Sequence, residues 1–579
     1  MLKNKIGPGL LIALRDFENS GRKGLKRHSR TMGIVSKENN PKPARAVVFI
    51  HCKEKATFGK KEGIIVNQPT GPIRTGIISL ESVETLSENR DVKWVTASHF
   101  VKPLMDVAPG KVGLPAFRKK TKLKGKGIIV GVVDTGIDPK HAAFQGRILS
   151  IWDQVLSGDG VAEGSYGVEL TGNLLTTSRD LHGHGTHVSG IAAGSDETYC
   201  GIAPEADLVM VKTDFMDAHI ADGVRYIFRV ADEMDRPAVV NLSLGGHWDP
   251  HDGTDSLSQI IDAESGPGKI VCCAAGNEGN DNIHAQASVA KGKTKTIRFS
   301  VPVSSCGSEC YVGLNIWYSG RDQMEAAIRS PDGSTTGYQG IITDAEPEKS
   351  YELREGRVTI ATPGPDPLNG DNNIFILIEN ATRATFPVKP GVWRLSLRGV
   401  AIEKGTIDAW TLATTDDPVI FTGTSVKDKM KIGSPGASKS AITVAAYTTR
   451  INWTDINGQE EGVDFDLDDI ADFSSEGPLR DGFNKPDIAA PGAMIVSALS
   501  ADSQVSPMEQ PDNEFCVMAG TSMASPFLAG VVALLLERDP SLDPAGIKNL
   551  LKSKSKIQSK KSGTFHPKWG YGLLHMEQM

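Results

Sequence analysis

Cysteine is scarce in this chain, with seven residues among 579. An odd, sparse set of cysteines does not form the disulfide framework that small secreted domains need. Cys272 and Cys273 are neighbours inside an apolar stretch, which predicts buried free thiols, while Cys306 and Cys310 are close enough in sequence for a local bridge. The cysteine content therefore favours a reducing compartment.

Long apolar runs are also missing from the sequence. No stretch is long enough to cross a bilayer. The short apolar stretch near the N-terminus contains Gly7, Pro8 and Gly9, is followed directly by Arg15 and Asp16, and leads to no small-residue cleavage site. We therefore predict a cytoplasmic protein with no signal peptide and no membrane partner, and export by a non-classical route stays open.

The chain lacks an excess of positive charge, since its formal net charge is −7. This balance gives no electrostatic reason to expect nucleic acid as a partner. Two short basic runs, at 118–126 and 552–561, are interpreted as a solvated linker and a solvated tail. The hydrophobic fraction of 39% is enough for a large core, and the length suggests about two to four domains.

The N-terminal part of the chain divides into an extension and a small unit. Residues 1–42 are polar and basic apart from a short helical pattern at 10–17. Residues 43–107 are predicted to form a small α/β unit, with strands at 46–52, 76–78 and 92–95 and a short helix that carries Leu80, Val83 and Leu86. Residues 101–127 are basic and rich in glycine and proline, which predicts a linker.

The rest of the chain predicts an α/β protein interrupted by a β domain. Continuous apolar runs at 127–134, 207–212, 238–244 and 269–275 alternate with helical patterns at 187–193, 220–234 and 256–263. Such runs are typical of parallel strands covered by helices on both faces. The pattern fills 108–284 and resumes over 418–579, where it ends in an apolar helix at 525–536. Between them, residues 285–417 predict an inserted all-β sandwich of roughly eight strands.

Three segments carry residues suited to acyl transfer by a serine. Such chemistry needs a nucleophile, a base that takes its proton, a carboxylate that orients the base, and donors for the oxyanion. Asp134 ends an apolar strand in VVDTGID, His184 precedes a helix in HGHGTHVSG, and Ser522 begins the apolar helix in GTSMASP. A helix N-terminus favours developing negative charge.

These segments resemble the subtilisin family, in which the same residues occur in the same chain order. The resemblance extends to GIAPEADL, VVNLSLGG, AAGNEG and KPDIAAPG, and it covers the α/β parts of 110–280 and 430–575. It implies that His184 is the general base, that Asp134 orients it and that Ser522 is the nucleophile of a serine endopeptidase. The side-chain amide of Asn277 would complete the oxyanion hole with the backbone N–H of Ser522.

The resemblance also implies where a protein or peptide substrate binds. Three residues match the edge that pairs with the substrate backbone: Ser243, Leu244 and Gly245. Four more match the pocket walls for the residue before the cleaved bond: Gly246, Ala274, Ala275 and Gly276. Because these walls are small, we expect an open pocket and broad substrate choice.

One departure from the family concerns calcium. Ala143 lies where many members have an acidic calcium ligand, and the loop 195–200 is short. We therefore expect the strong calcium site of subtilisins to be absent, with a weaker site left open, and no cofactor to be required.

Two further regions resemble parts of known proteases. Residues 43–107 resemble the inhibitory propeptide of the family, which implies a zymogen whose own prodomain inhibits it and which is cleaved within 106–120. The inserted sandwich is similar in layout to the jelly-roll insertion of clostridial spore-germination proteases, and more weakly to the sandwich that accompanies proprotein convertases.

Alternatives to an active protease remain at this point. A catalytically silent pseudoprotease that binds a partner would have the same fold, and a peptide ligase would use the same triad. A zinc site would need His182, His184 and His187, but no HExxH helix supports it. The sandwich would be the binding module if Trp317, Tyr318 and Trp410 stacked on a ligand rather than forming core. Four other residues are expected to have structural roles: Asp138, His141, Asp487 and Cys516.

Overall fold

The computed structural model describes residues 43–58, 63–66, 73–97, 107–303, 311–341, 348–379, 388–413, 417–557, 560–561 and 563–579, together with ten scattered residues before 43. Cys306 and Cys310, whose spacing allows a local bridge, lie outside the described residues, and so does most of the helical pattern at 10–17. The chain forms two compact units, residues 1–103 and 104–579.

The first unit is a small α/β structure. Its elements are β1 (Ile34–Val35), β2 (Arg45–Cys52), β3 (Ile64–Val66), β4 (Ile73–Ser79), α1 (Val83–Ser87) and β5 (Val92–Ala97). Strand β2 lies centrally and pairs antiparallel with β1, β4 and β5, while β3 pairs with β4. Alternate residues of β2, such as Val48 and Ile50, face a core that Val83 and Leu86 of α1 complete. Strands β2, β4 and β5 and helix α1 match the elements predicted from the sequence, while β1 and β3 were not predicted.

The second unit begins with an α/β segment. Its elements are α2 (Val107–Lys111), α3 (Leu114–Thr121), β6 (Ile129–Asp134), β7 (Ile148–Asp153), β8 (Val168–Leu170), α4 (His184–Ala193), β9 (Asp207–Lys212), α5 (Asp217–Glu233), β10 (Ala238–Leu242), α6 (Ser256–Glu264) and β11 (Lys269–Ala274).

An all-β segment follows in the chain. Its strands are β12 (His284–Ser288), β13 (Thr294–Val301), β14 (Tyr311–Tyr318), β15 (Gln323–Arg329), β16 (Glu348–Leu353), β17 (Gly356–Pro365), β18 (Asn372–Glu379), β19 (Gly391–Ala401), β20 (Thr406–Ala413) and β21 (Ile420–Thr422). The described part thus has ten strands in two antiparallel sheets, in the orders β12-β20-β14-β18-β17-β16 and β15-β19-β13-β21, where the sequence predicted about eight.

The α/β pattern then resumes. Its elements are β22 (Ile442–Thr448), β23 (Asn452–Thr454), β24 (Glu460–Gly462), β25 (Ile488–Ala493), β26 (Ile495–Ala498), β27 (Phe515–Met518), α7 (Thr521–Arg538), α8 (Pro544–Ser553), β28 (Ser555–Lys556) and β29 (Leu573–Leu574). Strand β22 pairs in parallel with β11, so the sandwich is inserted in the connection between two neighbouring strands of one sheet.

The two α/β segments share a ten-stranded sheet in the order β28-β29-β25-β22-β11-β10-β6-β9-β7-β8. Pairing is parallel from β29 to β7, and antiparallel only at the two outer pairs. Every residue of β6 and β10 is buried, because α4 and α7 cover one face of the sheet and α5 and α6 cover the other. The predicted parallel α/β fold is confirmed.

The prediction of a linker over 101–127 is wrong for its described part. Helices α2 and α3 lie within it, and Val112, Leu114 and Phe117 are buried in the core on one face of the sheet. The guanidinium of Arg118 donates to the carbonyls of Gly201 and Ile202 at 2.5 and 2.6 Å. The basic composition concealed a helix whose apolar side packs on the sheet.

The sandwich packs against the segment of residues 247–252, which follows β10. Asn315 in β14 donates through Nδ2 to the carbonyls of His247 and Asp249, both at 3.0 Å. The ring of Trp410 in β20 stacks on His251, with 3.9 Å between centroids, and on His284, with 4.8 Å. Strands β14 and β20 are therefore covered on both faces, one by the second sheet and one by the α/β part.

Within the part of the chain that the structure describes, no helix is both long and apolar enough to span a membrane.

Candidate active site

An aspartate and a histidine meet at the carboxyl edge of the parallel sheet. Asp134 is the last residue of β6, and His184 is the first residue of α4. His184 Nδ1 lies 2.7 Å from Asp134 Oδ1, and the carboxylate is fully buried. Because an ionised carboxylate only accepts, Nδ1 carries the proton and Nε2 presents a free lone pair. A side chain at Gly185 would collide with the carbonyl oxygen of Gly136, so glycine is required for this approach.

The turn before α4 is organised by a buried carboxylate that the sequence analysis missed. Asp180 accepts from Gly183 N and Thr135 Oγ1 through one oxygen, and from the N–H and hydroxyl of Thr186 through the other, at 2.7 to 2.9 Å. These bonds fix the backbone on which His184 sits. Gly183 occupies the N-cap position of α4 and Asp180 lies three residues before it, so the usual capping pattern gave no signal for this role.

The electrostatics favour a protonatable ring at His184. Burial of the imidazole lowers its pKa, but the charge of Asp134, its hydrogen bond and the charge of Asp180 outweigh that effect, so the pKa of His184 is raised. A base of this kind gains a proton readily and holds it against its carboxylate partner.

Ser522 is the second residue of α7. Its hydroxyl donates to the carbonyl of Ser243 at 3.2 Å, and the hydroxyl of Ser243 donates to the carbonyl of Ser522 at 2.7 Å. Asn241 in β10 in turn donates to the Ser243 hydroxyl at 2.9 Å. The nucleophile candidate is thus tied directly to the edge segment that follows β10.

Asn277 is hydrogen-bonded to the first residue of α7, which assigns the two ends of its amide. Its Oδ1 accepts from the N–H of Thr521 at 2.9 Å and from the Thr521 hydroxyl at 3.0 Å. A backbone N–H can only donate, so Oδ1 is assigned and Nδ2 points away from Thr521. A Cβ atom added at Gly520 would lie 3.5 Å from both Asn277 Nδ2 and Ser522 N. These two donors therefore border one small space that glycine leaves free.

The neighbouring histidines do not converge with His184 on one point. His187 is fully buried, and its Nε2 lies 3.1 Å from the carbonyl oxygens of Ile495 and Cys516. Burial lowers the pKa of His187 to about 3, so the ring is neutral. His182 is exposed, with its ring centroid 6.1 Å from that of His184. Among the described residues, no group of three His, Cys, Asp or Glu side chains is arranged to hold a metal ion.

Four residues that were expected to be structural make local contacts. Asp138 accepts from the N–H groups of Lys140 and Ala501, and His141 Nε2 lies 2.8 Å from the carbonyl oxygen of Glu514. Asp487 pairs with the buried Lys485 at 2.7 Å.

The thiol of Cys516 is buried, and burial raises its pKa to about 12, which makes it inert. Cys272 and Cys273 are also buried free thiols, as the sequence predicted.

The pocket walls combine small residues with one charged pair. Gly246 N donates to the carbonyl of Ser434 at 3.0 Å, while Ala274 and Ala275 are buried and Gly276 is half-buried. A Cβ atom at Gly276 would lie only 2.6 Å from Glu278 Oε2. A carboxylate therefore borders this wall, which the pattern of small residues did not indicate.

The charge of Glu278 is stabilised by His247. Glu278 Oε2 lies 3.6 Å from His247 Nε2 and accepts from the Ser475 hydroxyl at 2.9 Å. Burial opposes ionisation of both groups, but the pair and its hydrogen bonds outweigh burial. The pKa of Glu278 is therefore lowered, and that of His247 is raised. Both pKa shifts therefore favour the ionised form, so Glu278 and His247 form a charged pair.

The fold and these residues define a class: a parallel α/β protein in which a serine, a histidine and a buried aspartate lie near the carboxyl ends of the strands. The model of the subtilase family matches residues 125–312 and 410–572, which is more than half of the chain. The chain belongs to the subtilase family. The part left unmatched inside it, residues 313–409, is most of the inserted sandwich.

The chain is similar to a serine protease and to a second proteinase. It is 26% identical over 486 residues to serine protease AprX of Bacillus subtilis (strain 168), covering 81% of this chain and 70% of that protein. It is 24% identical over 548 residues to the PII-type proteinase of Lacticaseibacillus paracasei. That match covers 88% of this chain but 27% of the proteinase, so the chain spans about a quarter of that relative.

Among solved structures, the chain resembles the CspB protease of Clostridium perfringens, with a TM-score of 0.66 and 24% sequence identity. The match covers 81% of this chain and 98% of that chain. It supports a subtilisin-like fold for this protein.

Proposed function

We propose that this protein is a serine endopeptidase with Asp134, His184 and Ser522 as its catalytic triad and Asn277 in its oxyanion hole. The observation that carries the proposal is the 2.7 Å contact between the buried Asp134 carboxylate and His184 Nδ1 at the sheet edge. It leaves Nε2 as a base, while Ser522 sits at the N-terminus of α7 beside the Asn277 amide.

Acylation follows from this arrangement. His184 Nε2 accepts the proton of the Ser522 hydroxyl as Oγ attacks the carbonyl carbon of the scissile bond. The hydroxyl must leave its 3.2 Å contact with Ser243 O, and catalytic hydrogen bonds commonly tighten only when substrate is bound. The carbonyl oxygen becomes an oxyanion, which Asn277 Nδ2 and Ser522 N stabilise. His184 then gives its proton to the departing amine, leaving an acyl-enzyme on Ser522.

Deacylation reverses these roles with water. His184 takes a proton from a water molecule, whose oxygen attacks the ester carbon, and the same donors hold the second oxyanion. Return of the proton to Ser522 Oγ releases the new carboxyl terminus. Asp134 stays ionised throughout and stabilises the imidazolium in each half-reaction.

We also propose that the protein is made as a zymogen, with residues 43–107 as its intramolecular inhibitor. The sequence predicts a cut within 106–120. Because Val112, Leu114 and Phe117 are buried, their burial supports a cut near residue 106, at the N-terminal end of that range. A cut inside α3 would remove core side chains and the hydrogen bonds of Arg118 to Gly201 and Ile202. Cleavage just before Val107 would leave both helices with the α/β part.

Intact mass after treatment with a fluorophosphonate tests both proposals. We expect one adduct, on a fragment that begins near residue 106, and no adduct in Ser522→Ala. Peptide cleavage by Ser522→Ala should fall by about 10⁶ in kcat, which is the size of this effect in subtilisin.

Ser541→Ala, which removes an exposed serine after α7, serves as the control and should label fully. A folded full-length protein that takes no adduct would be either a locked zymogen or the silent pseudoprotease. If the adduct is still absent after an added protease has removed the prodomain, the endopeptidase is contradicted and the pseudoprotease is supported. Labelling of an unprocessed chain would retain the triad and reject self-processing.

A further inference from the structure

Three arginines lie side by side on the sheet β15-β19-β13-β21 of the inserted sandwich. Arg298 of β13 is opposite Arg394 of β19, and Arg394 is opposite Arg329 of β15. Directly opposed residues of an antiparallel pair project from the same face of a sheet, and neighbouring strands are about 4.8 Å apart. The three side chains therefore form one row across three strands, which we call the arginine row.

The arginine row is on the outer face of the sandwich. The residues next to each arginine in its strand belong to the apolar cluster between the two sheets: Ile297, Phe299, Ile328, Trp393 and Leu395. Because side chains alternate along a strand, the arginines point away from this cluster. Arg298 and Arg329 are exposed, and Arg394 is partly exposed. The other sheet packs on the α/β part through β14 and β20, so the arginine row is on the opposite side of the sandwich.

The positive charge of the arginine row is not compensated. Among the residues that the structure describes, none of its three guanidinium groups forms an ion pair. By contrast Arg398, on the same strand and face as Arg394, pairs with Glu325 at 2.5 Å and lies over the ring of Tyr338. Like charges directly opposite each other on neighbouring strands destabilise a sheet. A row that costs stability and has no partner within the described residues is explained by an external anion.

Hydroxyl groups border the arginine row. Thr422 of β21 is opposite Arg298 at one end of the row. Thr296 and Ser300 come two residues before and after Arg298, so their side chains share its face, and Ser396 is opposite Thr296. Guanidinium groups bind phosphate oxygens in a bidentate manner, and hydroxyl groups supply further donors to the same oxygens. The composition of this face therefore suits an anion that has several oxygens on each charged group.

The surroundings of the row favour a chain of phosphates over other anionic partners. The same-face positions two residues from each arginine, within these strands, hold no aromatic residue: Thr296, Ser300, Ala327, Val392 and Ser396. Single-stranded nucleic acids are bound largely through stacking on aromatic rings, and folded proteins need an apolar contact centre, so neither partner fits this polar face.

The charges of the protein and of the ligand point the same way. The chain has a net charge of −7, so attraction of a polyanion must come from a local surface. Successive phosphates of inorganic polyphosphate share one bridging oxygen. Their charges are therefore close enough to meet neighbouring arginines, which the strands hold about 4.8 Å apart. In a phosphodiester polymer, an organic group separates the charges.

We propose that the arginine row binds inorganic polyphosphate, with the guanidinium groups of Arg298, Arg394 and Arg329 on phosphates of one chain. The ligand lies across the strands of the sheet, on the side of the sandwich that faces away from the α/β part. Two of the arginines, Arg329 and Arg394, fall in the segment 313–409 that the subtilase model leaves unmatched, so membership of the family does not supply this site. The site does not depend on the proposed endopeptidase activity.

Titration of full-chain Ser522→Ala with end-labelled linear sodium polyphosphate, followed by fluorescence anisotropy, tests this proposal. We expect saturable binding whose logarithmic dependence on salt concentration has a slope of about two to three, as three released counterions require. Arg298→Gln, Arg329→Gln and Arg394→Gln should each weaken binding about threefold and reduce the slope by about one. The triple variant should show no saturable binding.

Matched variants assign the binding to the row. The double variant Arg398→Gln, Glu325→Gln removes a compensated pair from the same sheet face and should bind as the parent does. Lys556→Gln, Lys560→Gln removes exposed charges from the basic run at 552–561, the rival site, and should also retain binding. Arg394→Gln should not lower the melting temperature in the absence of polyphosphate, because it relieves repulsion between like charges. Weaker binding by this variant therefore cannot be attributed to unfolding.

Three results would overturn the proposal. The first is binding by the triple arginine variant that equals binding by the parent, or loss of binding in Lys556→Gln, Lys560→Gln. The second is tighter binding of poly-glutamate or of a single-stranded oligonucleotide than of polyphosphate with the same number of charges, which would identify an acidic protein or a phosphodiester polymer as the partner. The third is the absence of any binding at low ionic strength. Failure of Ser522 to take a fluorophosphonate would overturn the endopeptidase and leave these results valid.

Discussion

Two strands of the inserted sandwich differ from their neighbours in the same sheet. In β17 and β18, buried and less buried residues alternate, as expected when one face meets a core and the other meets solvent. In β14 and β20, six or more consecutive residues are buried. The inner face of all four strands packs into one apolar cluster, so the difference arises on the outer face.

The outer face of β14 and β20 is a docking surface that packs on the segment 247–252. Asn315 bonds to this segment and Trp410 stacks on His251, while the guanidinium of Arg480 lies 5.6 Å from the ring centroid of Trp317. The interior of the sandwich stabilises the sandwich itself. The docking surface connects the sandwich to the segment that follows Ser243–Gly245, the residues that we propose bind the substrate backbone. Stability and catalysis should therefore respond differently to changes on the two faces.

The largest expected effect comes from two tryptophans that separate these roles. Trp410 lies on the docking surface, and Trp393 in β19 lies inside the sandwich, and both are fully buried. Trp393→Ala and Trp410→Ala should each lower the free energy of unfolding by about 3–5 kcal/mol. Only Trp410→Ala should also lower kcat/KM at temperatures well below unfolding, because it frees His251, which follows the edge segment proposed to bind substrate.

Thermal melting checks the stability of the two variants, and peptide cleavage at about 25 °C, well below unfolding, checks their activity. Similar losses of stability with unequal losses of kcat/KM would support the division between the two faces. Equal kinetic losses in the two variants would show that the sandwich acts on the active site only through overall stability.

Much of the α/β part could be predicted from sequence because its signals are local. A strand buried on both faces reads as a continuous apolar run, and β6, β9, β10 and β11 all lie within such runs. Asp134 is at the end of a strand, and His184 and Ser522 are each at the start of a helix. All three positions are near the carboxyl ends of the parallel strands. Local pattern therefore located the candidate site.

The missed features depend on contacts that are distant in sequence or masked by composition. Basic residues in α3 concealed the apolar pair Leu114 and Phe117, which pack on the core. Trp410 stacks on His251, about 160 positions earlier, and no local pattern reports such a contact. A signal was present in β14, since YVGLNIWY lacks the polar alternation of a strand with one solvated face.

A smaller expected effect is the dependence of stability on pH, which arises from a histidine buried in the α/β part. His187 in α4 is buried, and burial lowers its pKa to about 3 in the folded protein, against about 6.5 when unfolded. Between these values the unfolded chain binds a proton that the folded chain does not. Stability is therefore intact above about pH 6.5 and falls as the pH decreases, by about 2 kcal/mol at pH 5.

Urea unfolding at about pH 7 and about pH 5, in the Ser522→Ala background, measures this dependence. His187→Gln keeps a side-chain donor for the carbonyls of Ile495 and Cys516 but does not titrate, so it should remove most of this loss. His219→Gln, at a partly exposed histidine, is the control and should retain it. An unchanged pH dependence in His187→Gln would assign the acid sensitivity to other groups.

The smallest expected effect tests the docking surface with two buried asparagines. Asn315 Nδ2 donates to His247 O and Asp249 O, while Asn372 Nδ2 donates to Ser319 O and Asp322 O within the sandwich. Replacing either residue by alanine leaves buried carbonyls without these donors, which should cost about 1–3 kcal/mol of stability.

The kinetic consequences of the two asparagine changes should differ. Loss of Asn315 releases the carbonyls of the segment 247–252, which follows the residues proposed to bind substrate. We therefore expect KM to rise about threefold with kcat nearly unchanged. Loss of Asn372 leaves that segment anchored, and we expect neither constant to change. Steady-state kinetics on one peptide distinguishes the two variants. A rise in KM in both would mean that the sandwich transmits strain from its interior, because the docking surface is intact in Asn372→Ala.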